Sequence, residues 1–218
     1  MNRPAPLQAD AILLDIDGTL WDTAEISGRA YTDGIRRFDD VPQITVTADD
    51  IRREFGKPLP VIFEDLFPHL EGKIRSRLMT YCDQLNNRYL WKVGHSLCYP
   101  DVSPTLDILR QHYRLFIVSN CAPDYVDVFT TTNGLRDRIE NFACLGHPHD
   151  NKAANIAAVV EKYGLRKAVY VGDTETDRLS ARKAGVPFIF CTYGFGRAQE
   201  WDLSIDSFSQ LPDCLTKL

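Results

Sequence analysis

Residues 10–20 read D-A-I-L-L-D-I-D-G-T-L, and the fold turns on how this stretch is interpreted. Four apolar residues, 11–14, run without alternation and end abruptly in Asp15, Asp17 and Gly18. An unbroken apolar run of this length suits a strand buried on both faces of a parallel sheet, and the polar residues and glycine after it mark a loop. Working outward, the segment from residue 100 onward repeats one rhythm, a helical pattern followed by a short apolar run. VSPTLDILRQHY (102–113) leads into RLFIVS (114–119), and PDYVDVFTTTNG (123–134) leads into FACL (142–145). KAANIAAVVEKYG (152–164) leads into AVYVG (168–172), and TDRLSARKAG (176–185) leads into PFIFCT (187–192). Gly164 and Gly185 stand where helices stop. Alternation of this kind predicts an α/β fold, a Rossmann-like parallel sheet with helices on both faces.

Residues 22–95 have a different texture. TAEISGRAYTDGIRRF (23–38) and KIRSRLMTYCDQLNNRYLWKV (73–93) space their apolar residues three and four apart, and no strand pattern appears between them. The expected organisation is therefore a catalytic core of residues 1–21 and 96–218, with an α-helical cap inserted at 22–95.

Composition narrows the function classes. Lys and Arg number 25 against 30 Asp and Glu, a net charge of −5, with both signs scattered and no basic block to neutralise a nucleic-acid backbone. Apolar runs such as AILL (11–14) and AAVV (157–160) are far shorter than the roughly 20 residues of a membrane span. MNRPAPLQAD (1–10) has no apolar signal-peptide core. Cysteines 82, 98, 121, 144, 191 and 214 stand singly, without metal-ligand spacing, as free thiols in a reducing compartment do. The expectation is a cytoplasmic protein that binds neither nucleic acid nor membrane; oligomeric state leaves no signature.

Ligands in open parallel sheets bind beyond the carboxyl ends of the strands. There the sequence places Asp15, Asp17, Asp173 and Asp177, together with Ser119, Asn120 and, at a helix start, Lys152. Singly, each has a bland reading: D-G-T as a turn, Ser119-Asn120 as a helix cap, Lys152 as a solvated charge, Asp173 as a cap. Gathered at one sheet edge they repel, by about 4 kcal/mol per carboxylate pair at 4 Å and an effective dielectric of about 20. A cation or shifted pKa values must relieve this. Oxygen ligands without histidine or thiolate select a hard cation, by default magnesium. His147 and His149, flanking Pro148, are read as loop residues.

DIDGTL (15–20), IVSN (117–120), DNKAANI (150–156) and VGDTETD (171–177) resemble, in order, the four motifs of the haloacid dehalogenase superfamily. Leu97-Cys98-Tyr99-Pro100-Asp101-Val102 resembles the family's return from cap to core. Gly185-Val186-Pro187 and Thr192-Tyr193-Gly194-Phe195-Gly196 resemble its closing segment. The helical insertion is similar to the cap of the phosphoglycolate phosphatase-like and β-phosphoglucomutase-like branch. Two places depart from the pattern: Ala153 follows Lys152 where proline is usual, and Pro100 precedes Asp101 where glycine is common, a change read as neutral.

The resemblance implies a magnesium-dependent phosphatase acting on a small phosphate monoester. Asp15 would be the nucleophile that forms an aspartyl-phosphate. Asp17 would protonate the leaving alkoxide and then activate water, and in extended chain i and i+2 point to the same side. Ser119 and Lys152 would hold the phosphoryl oxygens, and Asn120 would help position the substrate. Asp15, the main-chain carbonyl of Asp17 and Asp173 would hold Mg²⁺. Asp177 would serve a metal-bound water or pair with Lys152. Lys57, in the cap loop Phe55-Gly56-Lys57-Pro58-Leu59, would meet an anionic leaving group or else be solvated. Phe63, Leu66, Phe67 and Leu70 read as cap core. Phosphoglycolate, a sugar phosphate and a nucleotide are all open as substrates. Two alternatives stand beside this reading: a sugar phosphomutase of the β-phosphoglucomutase type, and a non-enzymatic phospho-acceptor or binding protein.

Overall fold

The computed structural model describes residues 9–217. Six parallel strands form one sheet in the order β3-β2-β1-β4-β5-β6. They are β1 (Ala11–Leu14), β2 (Arg114–Val118), β3 (Asn141–Ala143), β4 (Ala168–Gly172), β5 (Phe188–Cys191) and β6 (Leu203–Ile205). The four apolar runs read as strands after residue 100 are all present, and β6, a three-residue edge strand with only Ile205 buried, is additional.

Side-chain alternation divides the sheet cleanly. Ile12, Leu14, Leu115, Ile117, Val169, Val171, Ile189 and Cys191 face one layer, where α5 (Val102–Leu109), α6 (Pro123–Thr132) and α9 (Leu211–Leu215) cover them. Ala11, Leu13, Phe116, Val118, Tyr170, Phe188 and Phe190 face the other, under α7 (Lys152–Lys162) and α8 (Glu175–Lys183). Both faces being covered, the strands are apolar throughout, which is why the sequence shows runs and not alternation. Gly164 and Gly185 follow α7 and α8 at φ 61° and 72°, the left-handed stop that a side chain resists.

Register decides where the polar residues emerge. Leu14 lies opposite Ile117 on one side and Val171 on the other. The chain therefore leaves β1, β2 and β4 at one level, delivering Asp15, Ser119 and Asp173 to one edge. Strand order reverses between β1 and β4, the point at which such sheets open a crevice.

Between β1 and α5 lie α1 (Ala24–Ile35), α2 (Ala48–Glu54), α3 (Leu59–Leu66) and α4 (Gly72–Leu90), with no strand. They bury a core of their own around Tyr31, Ile35, Ile51, Phe63, Phe67, Leu78 and Cys82, with Leu66 and Leu70 packed against it. The two crossings to and from this segment run side by side. Trp21 pairs antiparallel with Cys98, Asp22 N–H donates to Leu97 O at 3.0 Å, and Tyr99 N–H donates to Leu20 O at 3.0 Å. The helical segment also touches the sheet side directly. Asn87 Nδ2 donates to Asp124 at 2.8 Å, and Asn120 Nδ2 donates to Gly56 O at 2.8 Å, while Arg52 pairs with Asp22 at the crossing itself at 2.9 Å. All six cysteines are free, and no helix among the described residues is long and apolar enough to cross a membrane.

One departure has a conformational cost. Asp101, at the start of α5, sits at φ 63°, the left-handed region, and its side chain makes no capping bond. That conformation costs a side-chain-bearing residue roughly 1–2 kcal/mol, so the exchange of glycine for Asp101 is not neutral for stability. Asp101→Gly removes the strain but adds unfolded-chain entropy of about 0.5–1 kcal/mol. The expected net effect is a gain of up to about 1 kcal/mol, or about 2–4 °C in Tm, measured by thermal melting; a lower Tm would contradict it.

Candidate active site

Asp15 and Asp17 leave the end of β1 nearly buried, at 1% and 9% exposure. Gly18 between Asp17 and Thr19 has φ 77°, and a Cβ there would collide with the Asp173 carboxylate. Only glycine lets the two strand-end loops approach so closely. Asp173, fully buried after β4, accepts from Phe195 N–H at 2.8 Å and Gly196 N–H at 3.2 Å. The closing segment thus fixes its carboxylate from behind.

Lys152 opens α7, whose cap is Asn151, accepting from Ala154 N–H at 2.8 Å. With Ala153 in place of proline the helix still starts here, and the Lys152 ammonium reaches Asp15 at 3.0 Å and Asp177 at 2.6 Å. Asp177 is spoken for within the protein. Its Oδ1 takes Lys152 and the Tyr170 hydroxyl, and its Oδ2 takes the N–H groups of Asp173 and Thr174 and the Thr174 hydroxyl, closing a capping box on α8. It anchors the ammonium, the second of the two roles open to it. Ser119 and Asn120, at 4% and 7% exposure, line the same cavity as Asp15 and Asp17, and neither caps α6, whose cap residue is Ala122.

Sequence reasoning missed the partners of Asp17. Tyr125 on α6 donates its hydroxyl to Asp17 Oδ1 at 2.7 Å, and Trp21 donates Nε1 to the same oxygen at 3.0 Å. Thr23 lies 3.0 Å from the Tyr125 hydroxyl, and the Trp21 and Tyr125 rings meet edge-on at 5.4 Å. The only signal in the chain is that a tyrosine and a tryptophan, each with a polar tip, occur in segments that otherwise read as core.

Electrostatically the cluster is strained. Burial pushes Asp15 up to about 6 despite the Lys152 ammonium beside it. Burial also pushes Asp17 up to about 7, against the pull of the Tyr125 hydroxyl. Asp173 is raised by burial and by the charges of Asp177 and Asp15. Burial draws Lys152 down, but Asp15 and Asp177 outweigh it and hold the ammonium above its usual range. One oxygen from each of Asp15, Asp173 and Asp177 lies within 4.8 Å of the others. Three buried carboxylates with only one ammonium between them fit a hard divalent cation. Asp177 is the most engaged, with five donors on its two oxygens against three on Asp173, from the Thr19 hydroxyl and the Phe195 and Gly196 N–H groups. His147 and His149 are exposed on their loop and join no such group among the described residues.

The cavity above these residues, about 50 Å³, is closed by the helical segment, with Tyr31, Phe55, Gly56, Lys57, Leu59, Ile62, Asp83 and Asn86 on its far wall. Lys57 is on this wall, yet its ammonium is bound by Glu54 at 2.6 Å and Asp65 at 2.7 Å, so it is not simply solvated.

The family model described as haloacid dehalogenase-like hydrolase matches residues 12–191. A phosphoglycolate phosphatase of Agrobacterium fabrum is 29% identical over 96% of this chain and 93% of its own length. Among solved structures, a predicted phosphoglycolate phosphatase from Haemophilus somnus superimposes with a TM-score of 0.84 at 20% identity, covering 94% of this chain and 97% of that one. A variant of CbbY from Rhodobacter sphaeroides, in complex with xylulose-(1,5)bisphosphate, has a TM-score of 0.75 at 16% identity, covering 93% and 96%.

The raised carboxylates set a pH dependence. Asp15 and Asp17 bind protons more tightly folded, at about 6 and about 7, than their ordinary 3.8. The folded state therefore holds more protons between pH 4 and 7, and stability falls as pH rises through that window. In chelator, Tm should drop by several degrees between pH 5 and pH 8, and magnesium should flatten the fall by compensating the charge. A Tm that rises with pH in chelator would contradict the electrostatic account.

Proposed function

The chain belongs to the haloacid dehalogenase-like hydrolases, and from that membership we propose that it is a magnesium-dependent phosphatase hydrolysing small phosphate monoesters through an aspartyl-phosphate. The observation that carries the reading is the pair Asp15 and Asp17, lining one cavity, with Lys152 on the first and Tyr125 and Trp21 on the second. Asp15, the main-chain carbonyl of Asp17 and Asp173 would hold the magnesium, which supplies positive charge against the carboxylates and the incoming phosphoryl group.

In this reading the Asp15 carboxylate attacks phosphorus. Lys152 holds it in place and, with Ser119, neutralises charge on the phosphoryl oxygens as they move. Asp17, raised to about 7, is partly protonated near neutral pH and can give its proton to the departing alkoxide. Once ionised, it takes a proton from the water that opens the aspartyl-phosphate. Tyr125 and Trp21, both donors to one oxygen, keep that carboxyl turned and leave the other oxygen for chemistry. A pure phospho-acceptor needs neither this acid nor a lid.

Residues 22–95 act as the cap in this proposal, with Lys57 facing the leaving group and Asn120 tying the cap loop to the sheet side through Gly56. Closure keeps bulk water from the intermediate. The small cavity favours a compact monoester, and the thiols, all free, suit a reducing cytoplasm.

Asp15→Asn keeps the shape and removes the nucleophile. Its phosphate release in magnesium, screened over some tens of phosphorylated metabolites, should fall below a few per cent of wild type, and retained turnover would displace Asp15 from its role. Tyr125→Phe removes a hydrogen bond that lowers the Asp17 pKa. The acid form then persists to higher pH, so the alkaline limb of kcat/KM should shift upward while kcat falls as positioning is lost. A limb shifted downward would contradict the assignment.

A further inference from the structure

The far wall of the cavity, supplied by α1, α4 and the loop before α3, carries polar groups that the phosphoryl chemistry does not use. Tyr31, 3% exposed, packs its ring against Phe63 at 5.1 Å and 53° tilt, and its hydroxyl has no hydrogen-bond partner among the described residues. Asn86, 4% exposed, spends its Oδ1 on the Ser27 hydroxyl at 3.1 Å, while its Nδ2 finds no acceptor among the described residues. Asp83, one turn before Asn86 on α4, lines the same cavity without a basic partner among the described residues. Lys57 has two carboxylates on its ammonium, and a third N–H remains.

Two things follow from this inventory. First, the wall is negative. Lys57 with Glu54 and Asp65 sums to one negative charge, and Asp83 adds another, which burial and the charge of Asp124 push up to a pKa of about 6. A carboxylate or second phosphate on the substrate would enter against this field. Second, the wall mixes donors and acceptors: Asn86 Nδ2 and the Lys57 N–H only donate, the ionised Asp83 only accepts, and the Tyr31 hydroxyl does both. An apolar group would leave them all unpaired, and an ammonium could not satisfy the donors. A hydroxyl can meet either kind.

We propose, resting on the phosphatase reading above, that this cavity selects phosphate monoesters of small uncharged polyols and disfavours those whose leaving group carries a carboxylate or another phosphate. The named determinants are Asp83, Tyr31 and Asn86. In this proposal the second phosphate of a sugar bisphosphate would enter against the same negative wall.

The test uses three two-carbon monoesters of equal length on the full chain with magnesium: 2-hydroxyethyl phosphate, 2-phosphoglycolate and O-phosphoethanolamine. The expected kcat/KM for 2-hydroxyethyl phosphate exceeds each of the others by at least about tenfold, the scale on which unmatched buried polar groups discriminate. In Asp83→Asn, which keeps shape and loses charge, the ratio of 2-phosphoglycolate to 2-hydroxyethyl phosphate should rise about tenfold. An unchanged ratio would remove Asp83 as a determinant and overturn the charge argument. Acetyl phosphate, small and activated, reads the core chemistry alone. If it is hydrolysed while 2-phosphoglycolate is preferred or the three monoesters are equal, the substrate inference fails and the phosphatase reading stands. If a folded, magnesium-loaded protein hydrolyses none of the four, both fail.

Discussion

Lys152 is 2% exposed, with its ammonium 3.0 Å from Asp15 and 2.6 Å from Asp177, and the strand-end loops are arranged around those contacts. Removing one member of a buried pair of this kind strands the other charge at a cost of about 3–5 kcal/mol. That penalty explains the neighbouring choices. Asp177 is locked through Oδ2 by the Thr174 capping box so that it cannot turn away, and Tyr170 in β4 donates to Oδ1, the oxygen that also holds Lys152. Asp173, beside Asp15 and Asp177, is held by backbone N–H groups of the closing segment and has no ammonium of its own. The single cation is shared between Asp15 and Asp177 while the cluster as a whole remains short of positive charge. A divalent ion belongs in that deficit.

Much of this was legible in the chain. The strands after residue 100 appeared as unbroken apolar runs because both sheet faces are covered, and the motif residues stood at their ends because register brings Leu14, Ile117 and Val171 level. Gly18 was readable as a sharp exit, though not as the place where Asp173 presses against the backbone. The strand β6 was not legible, since three residues with one buried side chain carry no period. Nor were Tyr125 and Trp21 as partners of Asp17. Tyr125 is 108 residues from Asp17, and each aromatic ring satisfies its helical or loop pattern as core, so nothing local marks the polar tip. Asp83 and Asn86 were hidden for a related reason: Asn86 lies on the buried stripe of α4 and half-buried Asp83 borders it, where polar residues in an apolar phase are the signal, but a helix read for its periodicity absorbs them as noise.

The cavity has two walls with different electrostatics. On the sheet side, carboxylates are balanced by Lys152 and by backbone donors, an environment suited to a group common to every phosphate monoester. On the helical side the one lysine is already neutralised, and the exposed functions are a carboxylate, a phenol and an amide. The proposed function and its substrate preference thus draw on separate segments of the chain, which meet across the cavity and at bridging contacts such as Asn120 with Gly56. Under that proposal, changes on the helical wall would alter what is recognised without touching Asp15 and Asp17.

The paired crossings have a consequence for how such a chain can change over time. Trp21 and Cys98 lie side by side, so the ends of the inserted segment are already closed against each other by backbone bonds that belong to the sheet side. Loop-closure entropy grows only slowly with length, and here the closure does not depend on what the loop contains. The intervening residues are free to lengthen, shorten or be replaced wholesale while the junction keeps its geometry. Trp21 is also the residue that donates to Asp17, so the same junction that frames the inserted segment carries a fixed contact to the Asp17 carboxyl. The architecture behaves as a socket: interchangeable on one side, wired to the reaction on the other.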